Sequence, residues 1–314
     1  MVRLFPMLIV LALVGASPGP PSLEEIANAR FQGLPVRDAA GSVALRDGVW
    51  RGEPFAEGSA ARPEVRLVEG FRAVGDLTGD GVAEAVVLLA GSSGGTGVDL
   101  VAVVVGRGPD GPVPLASALL GDRVQVCAAH VEDGVLSFYL VRAGEGDALC
   151  CPGELAVMEL VLRPGAGLVA TEPCGSRPLT PDVLGGTRWR LREWDAGDPA
   201  PAEPAVTLVH EDGRLDGSGG CNRWFATLEP GASPGAIAIG VIGATRMACP
   251  EPAAGVERRF FEALGGVERF GFLAGRLALT RRDGQSVRRL LFEEHPEPAS
   301  SRDLRRRFCS AEAP

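Results

Sequence analysis

Short apolar runs separated by turn residues dominate the chain. Residues 43–45 and Val49-Trp50 flank Asp47-Gly48, and residues 124–128 and 135–141 flank Asp133-Gly134. Residues 206–210 and Leu215 flank Asp212-Gly213, and residues 277–279 and 287–292 flank Asp283-Gly284. An Asp-Gly pair between apolar runs predicts a β-hairpin, because both residues tolerate the positive φ of a tight turn. Residues 84–90 and 98–105 predict buried strands, and residues 65–68 alternate in part. Helical spacing is convincing over residues 252–264. There Val256, Phe260, Phe261 and Leu264 share a face, and Gly265-Gly266 ends the pattern. Residues 22–29 predict a short amphipathic helix.

The predicted fold class is mainly β. A β-rich N-terminal domain spans residues 23–164. Residues 165–183, rich in Gly, Pro and Thr, read as a linker. A second unit then runs hairpin, hairpin, helix, meander over residues 184–293. The polar, Pro-rich tail at 294–314 reads as disordered, with a basic patch at 302–308 whose contact with a membrane surface is the weaker reading.

Residues 1–17 read as a signal peptide. Arg3 supplies a positive start, residues 4–16 are apolar, and Val14-Gly15-Ala16 offers a small-residue cleavage site. The apolar run falls short of the ~20 residues a transmembrane helix needs. The expected location is periplasmic or secreted. A net charge of −9 and a pI of about 5.0 argue against a general nucleic-acid binder.

Seven cysteines fit an oxidising compartment. The pairing of Cys127, Cys150, Cys151 and Cys174 stays open, with Cys174 placed to tie the linker to the first domain. Cys309 in the tail is the expected unpaired thiol. There is no Cys-x-x-Cys, and His130, His210 and His295 lack zinc-site spacing. His210, beside a hairpin turn, reads as a surface strand residue. Gly91-Ser92-Ser93-Gly94-Gly95 matches Gly-x-Ser-x-Gly, but a strand follows where a nucleophile elbow needs a helix. The expectation is a non-enzymatic protein.

Asp76-Leu77-Thr78-Gly79-Asp80-Gly81-Val82-Ala83-Glu84 places oxygen-bearing residues at alternate positions around a glycine turn. The stretch resembles the short calcium loop of integrin-like FG-GAP repeats. The resemblance implies Ca²⁺ ligands from Asp76, Thr78, Asp80, the Val82 carbonyl and Glu84. Thr78 and Glu84 depart from the usual pattern, and a metal-free turn is the alternative. Through Gly79-Asp80-Gly81, residues 85–89, 93–97 and 121–124, and Cys150-Cys151-Pro152, the surrounding half also resembles a domain of bacterial envelope proteins that accompanies META domains. No activity attaches to that resemblance.

In the C-terminal half, Gly217-Ser218-Gly219-Gly220-Cys221-Asn222-Arg223-Trp224-Phe225 and Thr245-Arg246-Met247-Ala248-Cys249-Pro250 form two boxes. With Gly185-Gly186-Thr187-Arg188-Trp189 upstream, they resemble the META domain of the heat-shock protein HslJ family. The resemblance implies a small β-barrel-like domain with one packed helix, and a bacterial envelope setting. Many relatives are lipoproteins, yet Ser17 stands where a lipid-bearing cysteine is expected. A Cys221–Cys249 disulfide is expected, with two buried thiols as the alternative. Asn222 is expected to satisfy a turn, and Arg223 and Arg246 to brace backbone or a carboxylate such as Glu257. A ligand or partner patch at these three residues is the second reading.

The expected role is stress response or binding of an unidentified envelope protein or small ligand. The alternatives are inhibition of an envelope-attacking enzyme such as a lysozyme, and Ca²⁺-dependent binding.

Overall fold

A computed structural model describes residues 19–36, 41–148, 151–295 and 299–309. The apolar run at 4–16, Ser17 and Cys150 lie outside these residues. Strands dominate and pack as successive layers.

The first sheet orders its strands as Val49–Arg51, Glu64–Leu67, Glu84–Ser92, Asp99–Gly108 and Gly111–Asp122, with Ala73–Gly75 also on Glu84–Ser92. Successive strand residues face opposite ways, so the central strands divide between two cores. Ala85, Val87, Leu89, Val101, Val103 and Val105 pack with Ile26, Phe31 and Val43. Val86, Leu88, Ala102 and Val104 pack the other way, against Leu136, Phe138 and Leu140 of the second sheet.

That second sheet orders Gly167–Thr171, Glu154–Arg163, Val135–Arg142 and Gln125–Glu132. Its other face presents Tyr139, Val141, Leu155 and Val157 to the C-terminal barrel, in one shared core. Cys127 joins that face through a bulge: Val126 pairs with Leu140 and Ala128 with Tyr139, leaving Cys127 as the extra residue. The boundary expected at 164 therefore does not separate two independent cores.

The barrel runs Ile237–Ile239, Arg223–Pro230, Arg214–Ser218, Thr207–Glu211, Arg188–Asp195, Ser286–Glu294, Arg276–Asp283, Val267–Leu273. It nearly closes where Ala236 bridges Arg269 and the Phe270 N–H donates to the Gly235 carbonyl at 2.8 Å. Trp189, Leu208, Leu215, Trp224, Leu277 and Phe292 fill the interior. Helix Ala253–Gly265 lays Phe260 across it, edge-on to Trp224 with ring centroids 5.3 Å apart.

Three expectations are corrected here. The segment at 165–183 is not a bare linker: Gly167–Thr171 pairs with Glu154–Arg163, and Pro181–Leu184 forms a 3₁₀ turn with Val183 and Leu184 buried. The tail is not disordered throughout, because Ser301–Phe308 is a helix capped by Ser300. Its apolar residues, Leu304 and Phe308, stand four apart on one face and are both buried. Cys309 is not unpaired: it bridges Cys174, with Cα atoms 5.6 Å apart. Cys174 therefore ties to the C-terminal helix.

Candidate functional sites

The two boxes meet at Asn222. Strand pairing sets Trp224 against Ala244 and Phe225 against Gly243, which lays the second box beside the first. Cys221 and Cys249 are bridged, with Cα atoms 6.0 Å apart. The Asn222 side chain is buried and fully used. Its Oδ1 accepts from the Met247 N–H at 2.7 Å and from Thr245 Oγ1 at 2.8 Å. Its Nδ2 donates to Glu257 Oε1 at 2.9 Å and to the Met247 carbonyl at 3.3 Å. One amide thus joins both boxes to the helix.

The glycines are explained by close approach. A Cβ on Gly217 would sit 1.9 Å from the Thr207 carbonyl oxygen, and one on Gly219 3.0 Å from Glu257 and Phe261.

Asn222, not an arginine, holds Glu257, which corrects the expectation for Arg223 and Arg246. The reason is direction. Arg223 alternates with buried Trp224 and points outward, and Arg246 lies on the exposed loop. Neither has an ion pair among the described residues. On the same two segments, Val241 is 93% exposed, Met247 59% and Phe225 44%. The Phe225 ring edge reaches over Gly243, and the Arg214 guanidinium stacks over the ring, 4.2 Å from the centroid. Phe225, Val241 and Met247 were missed as surface residues. In sequence, an apolar residue beside a buried tryptophan looks like core, and only the strand alternation points it outward.

His210 is also corrected. It is 2% exposed, and neither ring nitrogen has a hydrogen-bond partner among the described residues. Pairing with Leu215 and alternation with Leu208 turn it into the barrel. Burial pushes its pKa down.

The acidic loop gathers three of its expected residues. Carboxylate oxygens of Asp76, Asp80 and Glu84 lie within 4.8 Å of one another. Asp76 accepts the N–H groups of Gly79 and Gly81, at 2.6 and 2.8 Å, which pull its pKa down. Buried Glu84 accepts the Leu77 N–H at 2.8 Å and Thr78 Oγ1 at 3.3 Å. Asp80 accepts the Val82 N–H at 2.8 Å, and the Val82 side chain faces solvent. Hydrogen bonds within the chain therefore hold the loop shut. Three carboxylates and a threonine hydroxyl are a partial set for Ca²⁺, which takes about six to eight oxygens.

A cleft of about 330 Å³ lies between the second sheet and the barrel, lined in part by Cys127, His130, Arg276 and Glu294. Burial pushes the Cys127 thiol well up, the reverse of nucleophile activation. Burial likewise raises Glu294. His130 Nε2 is 2.9 Å from the Ala299 carbonyl. Cys151 lies at another opening, near Pro234 and Phe270.

Residues 182–294 match the META domain family and form a META domain. An NMR structure of a protein from Burkholderia xenovorans is 25% identical, with a TM-score of 0.31, over 43% of this chain and 98% of its own. No curated protein matches. A META domain suggests a stress-related or binding protein. Among the described residues, no helix is long and apolar enough to cross a membrane.

Proposed function

We propose that this chain is a non-enzymatic, exported envelope protein whose META domain is a binding module serving stress tolerance. The observation that carries it is the box face. A disulfide and the Asn222 network fix a loop that presents Val241, Met247, Phe225, Arg223 and Arg246 to solvent. A fixed loop loses little freedom on binding. The two cysteine pairs at bonding distance support an oxidising compartment.

The test is cell fractionation with thiol alkylation, together with a photo-cross-linker placed at Met247. The expected result is recovery outside the cytosol with Cys221 and Cys249 unalkylated, and adducts from Met247 but not from exposed Val287 on another hairpin. Cytosolic recovery with both thiols alkylated overturns export. Equal adducts at both positions overturn the binding face.

A second reading, Ca²⁺-dependent binding through the N-terminal half, is favoured by the gathering of Asp76, Asp80 and Glu84. Those carboxylates, with Thr78, would hold the ion, which would bind the folded chain and raise its melting temperature. An unchanged melting temperature between EDTA and millimolar Ca²⁺, or a rise that persists in Asp80→Ala, removes this reading.

A further inference from the structure

We propose that the box face docks on an anionic lipid surface: Val241, Met247 and Phe225 enter the interface while Arg223 and Arg246 meet lipid phosphates. The inference rests on the box face being a binding surface, and it names the partner.

Charge is the first observation. The chain carries −9 overall, yet residues 217–228 and 237–250 contain no Asp or Glu. The acids beside the face are already engaged. Asp216 is paired with Arg214 at 2.8 Å and Glu251 with Arg258 at 3.4 Å, while Glu257 keeps its charge but is turned toward Asn222. Glu229 sits at the far end of strand Arg223–Pro230, opposite Ala238. Arg223 and Arg246 are exposed cations with no ion pair among the described residues. On an acidic protein, this local excess of positive charge selects a negative surface.

Shape is the second observation. Val241, at 93% exposure, stands clear of the barrel; exposed Phe225 lies on the adjoining strand against Gly243, and exposed Met247 lies further along Val241's own segment, bonded to Asn222. Exposed apolar groups interspersed with arginines along two adjoining segments suit a soft interface: apolar groups sink to the acyl boundary, and cations stay among the headgroups. A protein partner would need a pocket matched to these groups. The Cys221–Cys249 bridge and the Asn222 bonds hold both segments in register, so the apolar groups and cations arrive together.

The test is flotation of the full chain with vesicles of phosphatidylglycerol and phosphatidylcholine, against phosphatidylcholine alone. The expected result is partition onto the anionic vesicles only. The Arg223→Glu/Arg246→Glu variant is expected to lower that partition at least about tenfold, since each basic residue near such a surface contributes appreciably. Val241→Asp is expected to lower it too, without changing the melting temperature, because this side chain makes almost no contact within the fold. Any contribution of residues 4–16 cancels between these variants. No anionic partition, equal partition onto neutral vesicles, or unchanged partition of the variants overturns the proposal. If Met247 still forms specific adducts with a protein in cells, the lipid partner falls and the binding module stands; if both tests fail, both fall.

Discussion

Asn222 grips Glu257 twice, through its backbone N–H to Oε2 at 2.5 Å and through Nδ2 to Oε1 at 2.9 Å. The first box is thereby locked to helix Ala253–Gly265, whose Phe260 closes the barrel over Trp224. Asn222→Ala would strip partners from Glu257, Thr245 and the Met247 N–H together. Leaving buried polar groups unpaired costs about 1–3 kcal/mol each, so a total loss of about 2–4 kcal/mol is expected after partial rehydration. Glu257→Gln keeps one acceptor for Asn222 and is expected to lose less. Urea unfolding of both variants checks the order. Equal small losses would mean that the amide is not the joint between the boxes.

The two disulfides close loops of different length. Cys221 and Cys249 are 28 residues apart, and Cys174 and Cys309 are 135 apart. Restricting the unfolded chain stabilises more for the longer loop, about 5 kcal/mol against about 3.5 kcal/mol. The Cys174→Ser/Cys309→Ser variant is therefore expected to lose more stability than Cys221→Ser/Cys249→Ser. Denaturant midpoints measured without reductant give the comparison. The reverse order would show that the box bridge acts mainly on the folded state.

The hairpins were legible because their turns are local. Asp47, Asp133 and Asp212 each adopt positive φ, as do the glycines that follow them. The helix was legible from the spacing of Phe260 and Leu264. Alternation also separates Phe138 and Leu140 from Tyr139 and Val141, yet it does not say what covers each set. One set faces the first sheet and the other faces the barrel. That sharing, and the Cys174–Cys309 bridge, depend on contacts distant in sequence. At His210, polarity pointed to the surface while register decided for the interior. For Arg223 and Arg246 the chemistry invited a carboxylate partner, but strand alternation turned Arg223 outward and an exposed loop carries Arg246.

His210 links stability to pH. Burial lowers its pKa from the ordinary 6.5. Between the lowered folded value and 6.5, the unfolded chain binds more protons than the folded one. Stability is therefore retained above about pH 7 and lost as pH falls through that window. Glu294 has the opposite sign. Burial raises its pKa above 4.5, so its contribution is present at lower pH and is lost as pH rises through the raised value. Unfolding of wild type and His210→Leu from pH 8 to 5 isolates the first effect as a difference that grows on acidification. A constant difference would place the proton elsewhere. Glu294→Gln is expected to reduce the loss on the alkaline side of its own window.

The C-terminal helix should resist proteolysis despite its run of arginines. Phe308 packs edge-on to Tyr139 with ring centroids 5.3 Å apart, and the Tyr139 hydroxyl donates to the Ser301 carbonyl at 3.1 Å. Arg177 Nε donates to the Arg307 carbonyl, close to the Cys174–Cys309 bridge. A solvated tail would offer trypsin Arg302, Arg305, Arg306 and Arg307 at once. A packed helix must open locally first, and the rate then follows that opening. Phe308→Ala removes a buried aromatic, a change that costs about 3–5 kcal/mol in well-packed cores, so it should speed cleavage at these arginines far more than elsewhere. Tyr139→Phe, which loses one hydrogen bond worth about 1 kcal/mol, should speed it modestly. Mass spectrometry without reductant follows the first cuts, since the bridge retains the Cys309 peptide. Cleavage of wild type at Arg305–Arg307 as fast as in Phe308→Ala would mean that the helix does not hold its place against the second sheet.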